Sequence, residues 1–211
     1  MNQKVPKNVE TIIFDLGGVL FDIDYSLTQK AFIDLGATGF HKQYSQQVQN
    51  GIFDQFEKGN ITPNHFRKEV LKWLPATITE EQVDNAWNAL LIGFPPEKVE
   101  LVKHLKNRYK IFLLSNTNDI HLSAVLDMME AQYNNGIMNE LFEKTYYSCQ
   151  MGMRKPDEEI FTHVVKEHNL NPSSTLFVDD LAKNIEGAAK VGLQTLHCTP
   201  AVSLATYFSI S

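Results

Sequence analysis

Cysteine is scarce in this chain: Cys149 and Cys198 are the only two among 211 residues. Their separation fits no metal-binding or redox motif. A disulfide framework is therefore not expected, and two free thiols in a reducing compartment is the simplest account. The seven histidines are dispersed and include no His-x-x-x-His pair, which argues against a histidine-based metal site. Lysine and arginine are scattered with no basic run, and the formal net charge is −6, so nucleic acid is not expected as a partner. No apolar stretch approaches the ~20 residues needed to cross a bilayer. Met1 to Lys7 is polar and lacks a signal-peptide core, which predicts a cytoplasmic protein with no membrane partner. Neither an internal repeat nor a low-complexity segment is present. Monomer and homodimer are both left open.

What is present is ordinary globular composition, 43% hydrophobic and 21% charged, enough for a core plus an inserted module. The chain changes texture twice. Val9 to Phe14 is an apolar, β-branched run that stops at Asp15 and is followed at once by Gly17 and Gly18. This pattern predicts a buried strand that delivers a carboxylate to a sheet edge, with a turn that lets backbone approach closely. Ser26 to Leu91 then reads as almost purely helical. Ser26 is placed as the cap of a helix ending near Gly36, Thr62 as a cap before Pro63, and Thr79 with Gln82 as a capping box.

After Pro95-Pro96, helices and strands alternate. Strands are expected over Lys110–Leu114, Thr145–Ser148, Thr175–Val178 and Leu193–His197, with helices between them. Such alternation implies a parallel sheet with helices on both faces, and ligands in such sheets bind at the carboxyl ends of the strands. The chemistry-bearing residues fall there. Asp15 ends the first strand, Ser115-Asn116 the second and Asp179-Asp180 a third, while Lys155-Pro156 stands just before a helix.

Each of these alone is weak. Ser115-Asn116 is an ordinary turn former, Lys155 an ordinary solvated charge, and Asp179-Asp180 an ordinary helix cap. In this order, however, Asp15-Leu16-Gly17-Gly18-Val19-Leu20-Phe21-Asp22, Ser115-Asn116, Lys155-Pro156, and Phe177-Val178-Asp179-Asp180 with Asn184 resemble the four motifs of the haloacid dehalogenase-like hydrolase superfamily. Within it, the resemblance is greatest to bacterial α-D-glucose-1-phosphate phosphatases. It rests on Asp22-Ile23-Asp24, Leu114-Ser115-Asn116-Thr117-Asn118, Gly152-Met153-Arg154-Lys155-Pro156 and Asn184-Ile185-Glu186-Gly187-Ala188. The resemblance implies an α/β fold: a Rossmann-like parallel core from residues 1–24 and 94–211, with a helical cap domain inserted over 25–93.

It also implies roles. Asp15 is the nucleophile, with Ser115 and Lys155 as the other catalytic residues. Ser115, Asn116, Lys155 and Gly17 bind the substrate, a small phosphorylated metabolite. Asp15, Asp180, Asp179 and the Gly17 carbonyl hold Mg²⁺. The backbone N–H groups of Leu16 and Gly17 are expected to face the phosphoryl group. The chemistry is consistent with this: an anionic carboxylate attacking a dianionic phosphate needs positive charge to hold both. Two other readings stand beside it. A 2-haloacid dehalogenase uses the same Asp without metal and also lacks an acid two residues later, as Gly17 does here. A non-catalytic binding protein can share the fold. Asp179 and Asp180 favour the phosphatase, because unneutralised carboxylates would repel a haloacid.

Position 17 is the departure from the usual motif. An acid there protonates the leaving oxygen, help worth on the order of a hundred- to ten-thousand-fold. Asp22 and Asp24, on the flap after the glycines, are the nearest replacements in sequence, though the expected role of both is that of solvated flap residues. Alternatively, an anomeric oxygen, a weak base, departs with less help, which points to a sugar 1-phosphate. His121, His163 and His168 are placed on surfaces or helix ends. The segment Gly51–Gly59 is the part of the helical block expected to face a ligand, with Phe53 and Phe56 equally readable as its core. Hinges are expected near Asp22–Tyr25 and Gly93–Pro96.

Overall fold

The computed structural model describes residues 5–37 and 51–209. Five parallel strands form the main sheet, in the order β5-β4-β1-β6-β7. They are β1 (Thr11–Phe14), β4 (Lys110–Ser115), β5 (Lys144–Tyr147), β6 (Thr175–Asp179) and β7 (Gln194–His197). All four residues of β1 are buried, as expected of a central strand covered on both faces. Alternation divides them: Ile12 and Phe14 join one apolar cluster with Leu113 and Val178, and Ile13 joins another with Phe112, Leu114 and Phe177. Helices α5 (Pro96–Lys106) and α6 (Asp119–Gln132) cover the first face, and α9 (Glu158–Glu167) and α10 (Ala182–Lys190) the second. Each fully buried Phe or Leu in these layers contributes about 1.5–3 kcal/mol.

Between β1 and β4 lie the helices α1 (Tyr25–Asp34), α2 (Ile52–Glu57), α3 (Pro63–Leu71) and α4 (Glu80–Asn88). They bury their own cluster, built on Phe32, Phe53, Phe56, Phe66, Val83 and Trp87, so Phe53 and Phe56 are core residues of the helical block. Thr62 and Thr79 cap α3 and α4 as expected, the latter in a complete capping box with Gln82. The cap of α1 is not Ser26. Asp24 holds that place, its carboxylate accepting from the Ser26 N–H at 2.8 Å, because an acid two residues earlier reaches the first-turn donors. At the margins of the block, β2 (Asp22–Ile23) pairs antiparallel with β3 (Leu91–Gly93) where the chain enters and leaves it. This ribbon occupies the expected hinge positions.

Three short helices were not anticipated: α7 (Ile137–Leu141), α8 (Ser148–Met151) and α11 (Leu204–Tyr207). Among the described residues, no helix is long and apolar enough to cross a membrane.

Candidate active site

The sheet register brings the expected residues to one edge. Phe14 pairs with Leu113 of β4 and Val178 of β6, and the Asp15 N–H donates to the Val178 carbonyl at 2.9 Å. One step beyond the pairing, Asp15 stands level with Asp179, and Ser115 ends the strand on its other side. Asp15, Ser115, Lys155 and Asp179 are all buried. Asp15, Gly17, Ser115, Asn116, Lys155 and Asp180 line one cavity.

Lys155 is the centre of this arrangement. Its ammonium is 2.8 Å from Asp15 Oδ1 and 2.7 Å from Asp179 Oδ2, and its side chain is 0% exposed. The backbone around it is clamped: Asn116 donates through Nδ2 to the Lys155 carbonyl and accepts through Oδ1 from its N–H, each at 2.9 Å. The Asn116 side chain, expected to face the substrate, is therefore bound to the Lys155 backbone. Gly187 completes the seat. A Cβ there would lie 2.3 Å from the Pro156 carbonyl oxygen, so only glycine lets α10 pack against this segment.

The two acids at the end of β6 differ. Asp179 Oδ1 accepts from the Leu181 N–H at 2.8 Å, and Asn184 Nδ2 lies 3.0 and 3.1 Å from its two oxygens. Together with Lys155, these donors engage both oxygens of Asp179. Asp180 lies on the other side of the turn, so close to Gly18 that a Cβ there would stand 2.6 Å from its Oδ2. Gly18 also holds φ +77°, a left-handed conformation that favours glycine.

Electrostatics distinguish the members further. Burial pushes the Asp15 carboxyl up to about 8, against the pull of Lys155 and with Asp179 and Asp180 adding to the rise. Burial and then the Asp179 charge push Asp180 up to about 6. Burial disfavours the Lys155 ammonium, but Asp15 and Asp179 outweigh it and hold Lys155 above its usual value. Three acidic side chains thus stand against one buried ammonium, and the crowding of like charges is what raises Asp15 and Asp180 beyond the effect of burial. Asp15, Asp179 and Asp180 each offer an oxygen within 4.8 Å of the others. An all-oxygen set of this kind suits a hard divalent cation such as Mg²⁺.

Several expectations are corrected. The Leu16 N–H does not face outward; it donates to Asp15 Oδ1 at 2.7 Å. Asp22 pairs with Lys98 at 2.7 Å and Asp24 caps α1, and neither lines the cavity. His121 is at a helix end, in the first turn of α6. It lines the cavity and stacks on Trp87 with centroids 4.7 Å apart. The helical block supplies Tyr25, Glu57 and Trp87 to the same cavity, and Arg154 joins them from the core. Of these, Arg154 stood within a motif and Glu57 within the segment expected to face a ligand. Tyr25 and Trp87 carried no signal beyond helical periodicity.

The parallel sheet with helices on both faces is an α/β core, and its carboxyl edge carries a carboxylate–ammonium cluster with an acid at the end of the first strand. The family profile described as haloacid dehalogenase-like hydrolase matches residues 9–192, and the chain belongs to that family. It is 33% identical over 187 residues to a D-ribitol-5-phosphate phosphatase of Bacteroides thetaiotaomicron, a match spanning 89% of this chain and 90% of that protein. A sesquiterpene phosphatase of Aspergillus oryzae is 29% identical over 198 residues, spanning 92% and 91% of the two chains. The crystal structure of a family enzyme from Bacteroides thetaiotaomicron, in complex with magnesium and inorganic phosphate, superposes with a TM-score of 0.82 at 32% identity, covering 93% of this chain and 98% of that one.

Proposed function

We propose that this chain is a Mg²⁺-dependent phosphatase of small phosphate monoesters, sugar or polyol phosphates such as glucose 1-phosphate, acting through an aspartyl-phosphate on Asp15. The observation that carries this is the acid cluster at the sheet edge: Asp15, Asp179 and Asp180 each offer an oxygen within 4.8 Å of the others, and the buried Lys155 ammonium pairs with Asp15 and Asp179 alone. A site for an anionic haloacid gains nothing from that cluster, whereas a cation-bound phosphate does. The relatives named as phosphatases agree with it.

Asp15 attacks phosphorus in line with the departing oxygen. The bond from phosphorus to the alcohol oxygen breaks, and the oxygen leaves with the bonding electron pair and takes its proton from water. Water then attacks the aspartyl-phosphate, regenerating Asp15 and releasing inorganic phosphate. Lys155 orients Asp15 and offsets charge on the transferring group. Ser115 hydrogen-bonds a phosphoryl oxygen. Asn116 acts through Lys155, as the clamp that positions it. Asp15, the Gly17 carbonyl and Asp180 are the groups that would hold Mg²⁺, with Asp179 beside them. The ion would neutralise the approach of two anions and stabilise charge on the phosphoryl oxygens. The helices inserted over residues 25–93 are a cap over this cavity, shielding it from water.

The test is a panel of phosphate esters and 2-haloacids, with and without Mg²⁺, beside Asp15→Asn. Mg²⁺-dependent phosphate release that the variant loses is the expected result. Metal-independent halide release would replace this reading with a dehalogenase, and neither product would leave a binding protein.

A further inference from the structure

Two consecutive basic residues in the cavity wall point in different directions. Lys155 reaches into the core, to Asp15 and Asp179. Arg154 reaches out to α2, where its Nη1 donates to Asp54 Oδ1 at 2.8 Å and its Nη2 stands 2.7 Å from Glu57 Oε2. These are not solvated surface charges: the Arg154 side chain is 9% exposed and Glu57 13%. Both line the cavity that holds Asp15, Ser115 and Lys155, with the Trp87 ring beside them, while Asp54 does not line it.

A charge pair removed from water is costly, and apolar residues of similar volume often serve stability as well or better. Its place in a cavity wall suits a ligand that can hydrogen-bond to it. A carboxylate can accept at about four positions and a guanidinium can donate five N–H groups, so a hydroxyl can share either with the partners it already has. Side by side they match a vicinal diol, with one hydroxyl donating to the carboxylate and its neighbour accepting from the guanidinium. A long hydrocarbon laid against the same pair would exclude water and return no hydrogen bond. Tyr25 adds a third polar group. Burial, and then the carboxylates of Glu57, Asp180, Asp15 and Asp179, hold its phenol well above its usual value, so it remains an O–H donor.

Building on the phosphatase reading, we propose that Glu57 and Arg154 are the specificity-determining pair of this cavity. With the phosphoryl group at Asp15, Ser115 and Lys155, they bind two adjacent hydroxyls of the alcohol, which selects polyhydroxylated monophosphates over isoprenoid or simple alkyl phosphates.

The experiment compares ribitol 5-phosphate with n-pentyl phosphate, which has the same carbon count and no hydroxyls, and with p-nitrophenyl phosphate. Wild-type protein should favour ribitol 5-phosphate over n-pentyl phosphate in kcat/KM by about tenfold or more. Glu57→Gln should lower kcat/KM for ribitol 5-phosphate by about tenfold, mainly through KM, and change that for p-nitrophenyl phosphate by less than about threefold. Inhibition by inorganic phosphate should be unchanged. Asp54→Asn, which removes the Arg154 partner outside the cavity, should leave the selectivity intact. Equal losses on all esters in Glu57→Gln, or the same selectivity change in Asp54→Asn, would assign the pair to holding α2 against the core and overturn the proposal. Wild-type protein that hydrolyses p-nitrophenyl phosphate without preferring ribitol 5-phosphate to n-pentyl phosphate overturns the specificity alone. Protein that hydrolyses none of the three overturns the phosphatase reading beneath it.

Discussion

The side chain of Ile23 occupies the space that a side chain on Gly17 would enter: a Cβ at position 17 would stand 3.1 Å from Ile23 Cδ1. An acid at position 17 would thus have to push aside an isoleucine from the β2–β3 ribbon. The neighbouring acids do not substitute for it, since Asp22 is paired to Lys98 and Asp24 caps α1. Leaving groups that need protonation should therefore react slowly. Glucose 1-phosphate and aryl phosphates are expected to turn over faster than glucose 6-phosphate, by a factor within the hundred- to ten-thousand-fold range of general acid help. Steady-state kcat on the three esters checks this, and equal rates for the two glucose phosphates would sink it.

Restoring the acid should require two changes. Gly17→Asp alone forces a carboxylate against Ile23 and should destabilise the fold by about 1–3 kcal/mol, the usual cost of overpacking. Combined with Ile23→Ala, the carboxylate gains room, and activity on glucose 6-phosphate should rise relative to activity on glucose 1-phosphate. The ratio of the two rates in the single and double variants is the measurement. A ratio identical to wild type in the double variant would show that position 17 does not address the leaving oxygen.

Asp179 and Asp180 should separate by phenotype although they are adjacent. Asp179 is fully buried against Lys155, Leu181 and Asn184. Asp179→Asn removes one partner of a buried ion pair, a change that typically costs 3–5 kcal/mol, and should show as a lowered unfolding midpoint. Asp180→Asn should leave the midpoint of the metal-free protein near wild type while weakening Mg²⁺ binding by roughly tenfold or more. Calorimetric Mg²⁺ titration beside urea unfolding resolves the two. Weak metal binding in Asp179→Asn with unchanged stability would reverse the assignment.

The residues that the sequence disclosed are those that strand ends must carry. Asp15, Ser115 and Asp179 each close an apolar run, and the parallel register leaves them no other edge to occupy. Local chemistry was also readable, as at Thr62-Pro63 and at the Thr79–Gln82 box, because the partners lie within one helical turn. Ser26 was misread as a cap because Asp24, two residues earlier, offers the same chemistry, and the backbone alone decides between them. What stayed hidden depends on contacts across the chain. The Asn116 clamp on Lys155 joins residues 39 apart in sequence, and the Arg154–Asp54 bond joins residues 100 apart. The Ile23 contact with position 17 arises from the ribbon that β3 forms with β2, and three residues of β3 give no pattern of their own.

His121 provides a test of electrostatics away from the carboxylate cluster. Asn118 Oδ1 accepts from Trp87 Nε1 at 3.2 Å and from the His121 N–H at 3.1 Å, which orients the amide. Its Nδ2 must then donate to His121 Nδ1, 3.0 Å away, and the ring proton sits on Nε2, donating to the Trp87 carbonyl at 3.0 Å. A second ring proton would point at the Asn118 amide, so the network admits only the neutral ring. Burial lowers the His121 value from 6.5 to about 4, despite the contrary pull of the Trp87 carbonyl. The unfolded chain therefore takes up a proton near pH 6.5 that the folded chain refuses until about 4. This contribution to stability is complete above pH 6.5 and is lost as pH falls toward 4, by at most about 1.4 kcal/mol per pH unit. Asp180, pushed up to about 6, and Asp15, pushed up to about 8, contribute in the same window with the opposite sign, since protonation of either relieves a buried charge. The difference between two proteins removes those contributions. His121→Gln keeps a donor for Trp87 and an acceptor for Asn118 but cannot be protonated. In chelator, its urea midpoint should rise relative to that of wild type as pH falls from 6.5 to 4.5, because only wild type loses the His121 contribution. Parallel curves for the two proteins would show that His121 is protonated as readily in the folded chain as in the unfolded one.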